Sequence, residues 1–149
     1  MMRLEAVDRD LSEKLNLASP AQQQAASVAA CQFALQATSV EVPLVLESLE
    51  QLRQHGILPT HRVAELNDLA EQLDSEYFRL QDQAEDDPHL QAAALRLFGQ
   101  ARAIAAVAFA GDKDGVKAVM EAIYEASVTV DDGMKVFNIA RRALSEHQS

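Results

Sequence analysis

The sequence predicts an all-α fold, a single-domain bundle of six or seven helices, on the basis of three observations. Residues 90–110 hold sixteen apolar residues out of twenty-one, and nine of these are alanine. A helix that is apolar nearly all round must be surrounded by other helices, so we expect a central helix at about 88–110. Elsewhere, apolar residues recur every three or four positions, as in amphipathic helices. The best strand candidate, 126–130 (ASVTV), has no partner strand.

In the first half of the chain, helix boundaries follow from residues that start and stop helices. Leucines and a valine at helical spacing predict a short amphipathic helix over 3–16. Ser19-Pro20 followed by Gln22 is a capping-box start, and it predicts a helix to about residue 38. Pro43 opens the next helix, and Gly56 ends it because glycine readily adopts the left-handed conformation of a helix end.

The second half of the chain is predicted to hold four more helices. The first runs from about 59 to 83, and the segment 84–88 then breaks it and caps the Ala-rich helix. Gly111-Asp112 is expected to close that helix and to cap the next, which runs to about 127. Asp131-Asp132 is expected to cap the last helix, and 146–149 to form a loose tail of the single domain 1–149.

Composition limits the class of protein. A chain of 149 residues predicts one domain that needs neither disulfide nor metal for stability. The single cysteine, Cys31, is predicted to be a small buried hydrophobe in a cytoplasmic protein. Arg96 and Arg102 within the apolar stretch argue against a membrane span. The net charge of −10 argues against nucleic acid as a partner. The basic residues cluster only on the last helix, at Lys135, Arg141 and Arg142.

Catalytic and metal-binding patterns are not found in the sequence. His55 and His61 flank one short loop, but no spacing signals the further ligands that zinc requires. The segment 112–115 opens like a calcium loop, but its glycine comes too early, so Asp112 is interpreted as a helix cap. We therefore expect a non-enzymatic protein with no cofactor and no metal.

The segment 65–87 is strongly acidic, with nine acidic residues and one base, Arg79. A helical wheel places most of these acids opposite the apolar stripe. This acidic face is either a solvated face that keeps the domain soluble and monomeric or a docking face for a basic protein partner. Phe78 lies among the acids, and it either anchors a partner or packs under a neighbouring helix. The predicted partner-binding residues are Glu71, Asp74, Phe78, Asp82 and Glu85.

Arg102 is the second candidate site. A charge beside the apolar run of the Ala-rich helix requires a partner, and Glu121, Tyr124 and Glu125 lie on the following helix. These residues form either a structural ion pair or a polar pocket inside the bundle that binds a small anion or another ligand.

These features favour a cytoplasmic, non-enzymatic interaction module that masks the basic surface of a partner, as an inhibitor, an immunity-like protein or a small chaperone would. The alternative is a ligand-binding or regulatory bundle with an internal polar pocket near Arg102. A homodimer through an Ala-rich face is left open by the sequence, and no membrane partner is expected.

Overall fold

The structure is a computed structural model that describes residues 3–146, and these residues form eight α-helices. The helices are α1 (Arg3–Val7), α2 (Arg9–Leu17), α3 (Pro20–Ala37), α4 (Pro43–His55), α5 (Thr60–Ala84), α6 (Pro88–Ala110), α7 (Gly115–Ser127) and α8 (Met134–Glu146). The prediction of an all-helical fold is confirmed, because no strand occurs between residues 3 and 146. The strand candidate 126–130 instead ends α7 and forms the following turn.

The number of helices differs from the prediction of six or seven because the expected helix 3–16 is two helices. Asp8 is buried between them, and its carboxylate accepts a hydrogen bond from the backbone N–H of Leu11 at 3.0 Å. The same carboxylate bonds to the guanidinium of Arg141 on α8. An aspartate in this position is an N-cap, so it starts a new helix where the apolar spacing alone suggested continuity.

Most of the predicted start and stop signals act as expected. Ser19 and Gln22 form both hydrogen bonds of the capping box, and Gly56 ends α4 with φ 76°. Asp87 accepts hydrogen bonds from the first turn of α6. The prediction for Asp112 is wrong, because residues 111–114 form a turn and α7 begins only at Gly115. Gly115 has φ 63°, a conformation that glycine adopts without strain.

The Ala-rich helix α6 is buried over only part of its length. Nearly all residues from Ala101 to Ala110 are buried, whereas Leu95 is 67% exposed and most residues before Gly99 are exposed or half-buried. A second helix shares the interior, because α3 contacts α4, α6, α7 and α8. Small side chains on both helices permit this close packing. The expectation that the Ala-rich helix is central along its whole length, 88–110, is therefore not confirmed.

Helices α5 and α6 form a long antiparallel hairpin. Its register is set by Asp74 opposite Arg102, by the rings of Tyr77 and Phe98 at 5.3 Å, and by Nε2 of Gln91, which donates to the carbonyl of Glu85 at 2.7 Å. At the loop end, Ala84 and Ala94 are buried but lie outside the main core cluster. We call residues 71–98 the arm.

Among the described residues, α6 is long and apolar enough to cross a membrane, judged by length and composition alone. Half of its most apolar stretch is buried inside the protein, and the core helix of a soluble protein can be equally long and apolar. The expected loose tail, 146–149, lies outside the described residues except for Glu146, which ends α8.

Candidate functional site

Phe78 is exposed on the acidic side of α5. Its side chain is 60% exposed, so the interpretation in which it packs under a neighbouring helix is wrong. Glu71, Asp82 and Glu85 are also exposed and lie seven residues before, four after and seven after Phe78. Glu71 and Asp82 are at spacings that share one face of α5 with Phe78, whereas Glu85 follows the helix as its C-cap, with φ 41°. Three of the four predicted acids are therefore exposed, and two of them lie on the helix face of the exposed aromatic ring.

Asp74 differs from the other predicted partner-binding acids because it is half-buried and already paired. Its Oδ2 lies 2.5 Å from Nη2 of Arg102 on α6. The same guanidinium donates from Nη1 to Oε2 of Glu125 on α7 at 3.2 Å. The ion pair predicted between Arg102 and the following helix is therefore present, with Asp74 as a second partner.

Arg3 completes this cluster, and the sequence analysis missed it. Its Nη2 lies 2.8 Å from Oε1 of Glu125 and 2.5 Å from Oε2 of Glu121, and its guanidinium stacks 4.4 Å from the ring centre of Tyr124. The hydrogen bond to Glu121, with the one to Glu125, raises the pKa of Arg3 above its usual value. More than one hundred residues separate Arg3 from these acids, so no local spacing could have indicated the contact.

Three of the four predicted pocket residues, Arg102, Tyr124 and Glu125, line an open groove rather than an internal cavity, and Glu121 lies outside its lining. The groove has a volume of about 350 Å³ and lies between α5, α6 and α7, with Arg3 at its edge. The four aromatic residues among its lining include both tyrosines of the chain. Its lining residues are Arg3, Asp74, Tyr77, Phe78, Phe98, Arg102, Tyr124, Glu125 and Val128.

A second groove of about 400 Å³ continues from the first toward the loop end of the hairpin. Tyr77 lines both grooves, and its ring lies 5.1 Å from that of Phe78. The exposed side chain of Leu95 lies on the opposite side of this second groove. We call the two grooves together the arm groove, an apolar strip with acids along its α5 edge.

The groove offers a partner or ligand aromatic and aliphatic surface beside charged side chains. Between residues 3 and 146, no three histidine, cysteine, aspartate or glutamate side chains are placed to hold a metal ion. Burial raises the pKa of the Cys31 thiol to about 12, so this cysteine is not a nucleophile at neutral pH. Exposed aromatic and aliphatic side chains beside carboxylates suit a partner that is both apolar and cationic.

Comparisons of this chain with protein-family models, with curated proteins and with solved structures gave no match.

Proposed function

We propose that this chain is a non-enzymatic interaction module that binds a basic partner protein through the arm groove. The class of function is that of an inhibitor, an immunity-like protein or a small chaperone that covers a basic surface. The proposal includes a cytoplasmic setting, which the single buried cysteine favours.

The exposure of Phe78 beside exposed acids is the observation that carries this proposal. A phenylalanine that is 60% exposed leaves a large apolar surface in water. Aromatic side chains are frequent among interface hot spots, which become fully desolvated and are surrounded by contacts that exclude water. Glu71, Asp82 and Glu85 add negative charge around this anchor without any ion pair of their own among the described residues.

Binding would proceed by electrostatic attraction followed by burial of the aromatic anchor. The segment 65–87 carries nine acids and one base, so its field attracts a cationic surface from a distance. The buried half of α6 and the ion pairs of Arg102 hold the arm against the rest of the protein. A fixed arm reduces the entropy lost when a partner binds.

Site-specific crosslinking tests this proposal. A photoreactive phenylalanine analogue is placed at position 78, and the matched control carries it at Leu17, which is 89% exposed on α2. Both variants are irradiated in lysate of the native organism, and the adducts are identified by mass spectrometry. We expect position 78 alone to yield a defined adduct, with a protein that presents clustered lysine and arginine at the crosslinked peptide.

Two further measurements decide the interpretation of the adduct. Adduct formation should fall when salt is raised and when Asp82→Asn and Glu85→Gln are introduced, since both changes weaken the charge attraction. Equal crosslinking from positions 78 and 17, or an adduct that is acidic and insensitive to salt, would contradict the proposal.

A small ligand in the groove beside Arg102 is the second candidate, and one observation favours it. Nε of Arg102 is buried and has no hydrogen-bond acceptor among the described residues. A ligand with a carbonyl or similar acceptor at this point would satisfy it. A thermal-shift screen of small polar metabolites against the native protein and Tyr124→Ala tests this candidate. A bound metabolite should raise the Tm of the native protein and leave the Tm of Tyr124→Ala unchanged.

A further inference from the structure

We propose that the occupant of the arm groove is an amphipathic, basic α-helix of the partner that lies lengthwise between α5 and α6. This inference rests on the function proposed above, and it specifies the structure and orientation of the bound segment.

The arm groove has the length and the regularity of a helix-binding site. On α5 its lining extends from Asp74 to Ala84, with Glu85 at the C-cap, and on α6 from Gln91 to Arg102. The two spans cover ten and eleven steps along a helix, or about 15–16 Å at 1.5 Å per residue. Within each span, the lining residues recur at three- and four-residue intervals: 74, 77, 78, 81 and 84 on α5, and 91, 94, 95, 98 and 102 on α6. A third helix of about three turns would match this length.

The backbone of the groove walls favours a helix over an extended segment. An extended peptide gains much of its affinity by pairing its N–H and C=O groups with a sheet edge. Both walls of the arm groove are helices whose backbone groups bond within the helix, and residues 3–146 contain no strand. A helical partner satisfies its own backbone and offers the groove only side chains.

Charge on the two walls differs, and this sets the orientation of the partner's faces. On the α5 side the groove is lined by the acids Asp74 and Glu85, and the exposed Glu71 and Asp82 lie next to this lining on the helix face of Phe78. In contrast, α6 contains no acidic residue over its whole length. At the far end, Arg102 is already neutralised by Asp74 and Glu125. The occupant therefore places lysines or arginines along α5, while its apolar stripe covers Tyr77, Phe78 and Leu95.

A second copy of this chain fits the groove poorly. If two arms packed against each other, each would bring the acidic segment 65–87 to the other, and the like charges would repel. The chain carries its basic cluster on α8, where Arg141 is already bonded to Asp8 and Asp10. These charges favour a different, cationic protein as the occupant.

Three synthetic peptides of about 14 residues, which exceed the length of the groove as helices, provide the probe. The first is a lysine–leucine peptide whose leucines share one helical face. The second has the same composition with the leucines spread around the helix, and the third is the first peptide interrupted by prolines. Fluorescence anisotropy gives the affinity of each labelled peptide for the native protein, for Phe78→Ala and for the matched control Leu17→Ala. Circular dichroism reports the helicity of the bound peptide.

We expect the amphipathic peptide to bind at least about tenfold more tightly than the other two and to become helical on binding. Phe78→Ala should weaken it by about tenfold, and Leu17→Ala should leave its affinity unchanged. Equal binding of the rearranged peptide at moderate salt would overturn the helical occupant while leaving charge-driven binding of a basic partner intact. Failure of every basic peptide to bind at low salt would overturn the proposed function as well. Dimerisation that Phe78→Ala abolishes, seen by sedimentation, would assign the groove to a second copy instead.

Discussion

Nη2 of Arg102 and Oδ2 of Asp74 lie 2.5 Å apart and join α5 to α6 at the base of the arm, where the arm meets the rest of the protein. The side chains of both residues are largely shielded from solvent, at 22% and 28% exposed. Asp74 therefore holds the arm in position, and between residues 3 and 146 it is the one predicted partner-binding acid that forms an ion pair. The same guanidinium extends the connection to α7 through Glu125.

Replacement of Arg102 by alanine is expected to destabilise the protein. The substitution leaves the carboxylate of Glu125, only 5% exposed, with one guanidinium partner instead of two. It leaves Asp74 with no cationic partner among the described residues. Removing one partner of a buried ion pair is strongly destabilising, but partial exposure here reduces the cost to about 2–3 kcal/mol. Urea unfolding of Arg102→Ala against the native protein measures this loss.

Arg96→Ala is the matched control for this substitution. Arg96 lies on the same helix but is exposed, so its removal should change the free energy of unfolding by less than about 0.5 kcal/mol. Equal stability of Arg102→Ala and the native protein would show that the ion-pair cluster contributes nothing to the fold.

Phe78→Ala is expected to leave thermal stability nearly unchanged while it weakens partner binding. A fully buried phenylalanine costs about 3–5 kcal/mol when truncated, but Phe78 is 60% exposed and contributes far less to the core. For a domain of this size, a loss below about 1 kcal/mol lowers Tm by about 2–4 °C. Differential scanning calorimetry measures the shift.

Phe98→Ala provides the comparison on the facing helix. Phe98 is half-buried between Tyr77 and Arg102, so its truncation should lower Tm by clearly more than that of Phe78. If Phe78→Ala melted at as low a temperature as Phe98→Ala, Phe78 would be a structural residue and not a free anchor.

The helices were predictable from the sequence where local signals determine them. Ser19, Gly56 and Asp87 act on backbone groups within one turn, so their effects are visible without tertiary structure. The division at Asp8 was not, because the cap is stabilised by burial against Arg141, more than one hundred residues away. The exposure of the first half of α6 also depends on tertiary packing, because an alanine-rich helix suits an interior or a hairpin equally well.

The candidate site was predictable only as two separate halves. Helical periodicity placed Phe78 among acids, and burial of a charge placed Arg102 near Glu125. Nothing in the spacing indicated that Asp74 joins the two, since this depends on the register of α5 against α6. The role of Arg3 could not be predicted for the same reason, because its contacts depend on how α1 packs against α7.

Salt dependence is expected to distinguish the acids around Phe78 from other surface acids. Association of the amphipathic lysine–leucine peptide should slow on the order of tenfold as salt reduces the Debye length toward about 3 Å, because exposed charges are screened. Replacing Glu71, Asp82 and Glu85 by their amides should flatten this dependence in stopped-flow measurements. Amides at Glu41, Asp112 and Asp114, three exposed acids outside the arm, should leave it as in the native protein. The same flattening from both sets would show that only net charge matters.

Asp8→Ala is expected to destabilise the region where α1 meets α2. The side chain of Asp8 is 5% exposed, caps α2 and bonds to Arg141, so alanine removes a cap and leaves a guanidinium with one fewer partner. The combined loss is about 2–4 kcal/mol, measured by urea unfolding. Asp10→Ala removes an exposed partner of the same arginine without touching the cap, and it should cost clearly less. An equal effect of the two substitutions would assign the loss to charge alone and not to the cap.

Cys31 is expected to resist thiol reagents in the folded protein. It is fully buried on α3, and burial raises the pKa of its thiol to about 12, so almost no thiolate forms at pH 8. Iodoacetamide should label it rapidly only in denaturant, whereas an exposed cysteine introduced by Ser145→Cys should react in the native state.

The same burial makes the stability of the protein depend on pH. Because the pKa of the Cys31 thiol is higher in the folded state than in the unfolded state, the contribution of the thiol to stability is complete below the ordinary thiol pKa. That contribution is lost as pH rises toward 12, so stability should fall in alkaline buffer more steeply for the native protein than for Cys31→Ala. Rapid labelling of Cys31 at pH 8 without denaturant would show that α3 opens readily and is not part of a stable core.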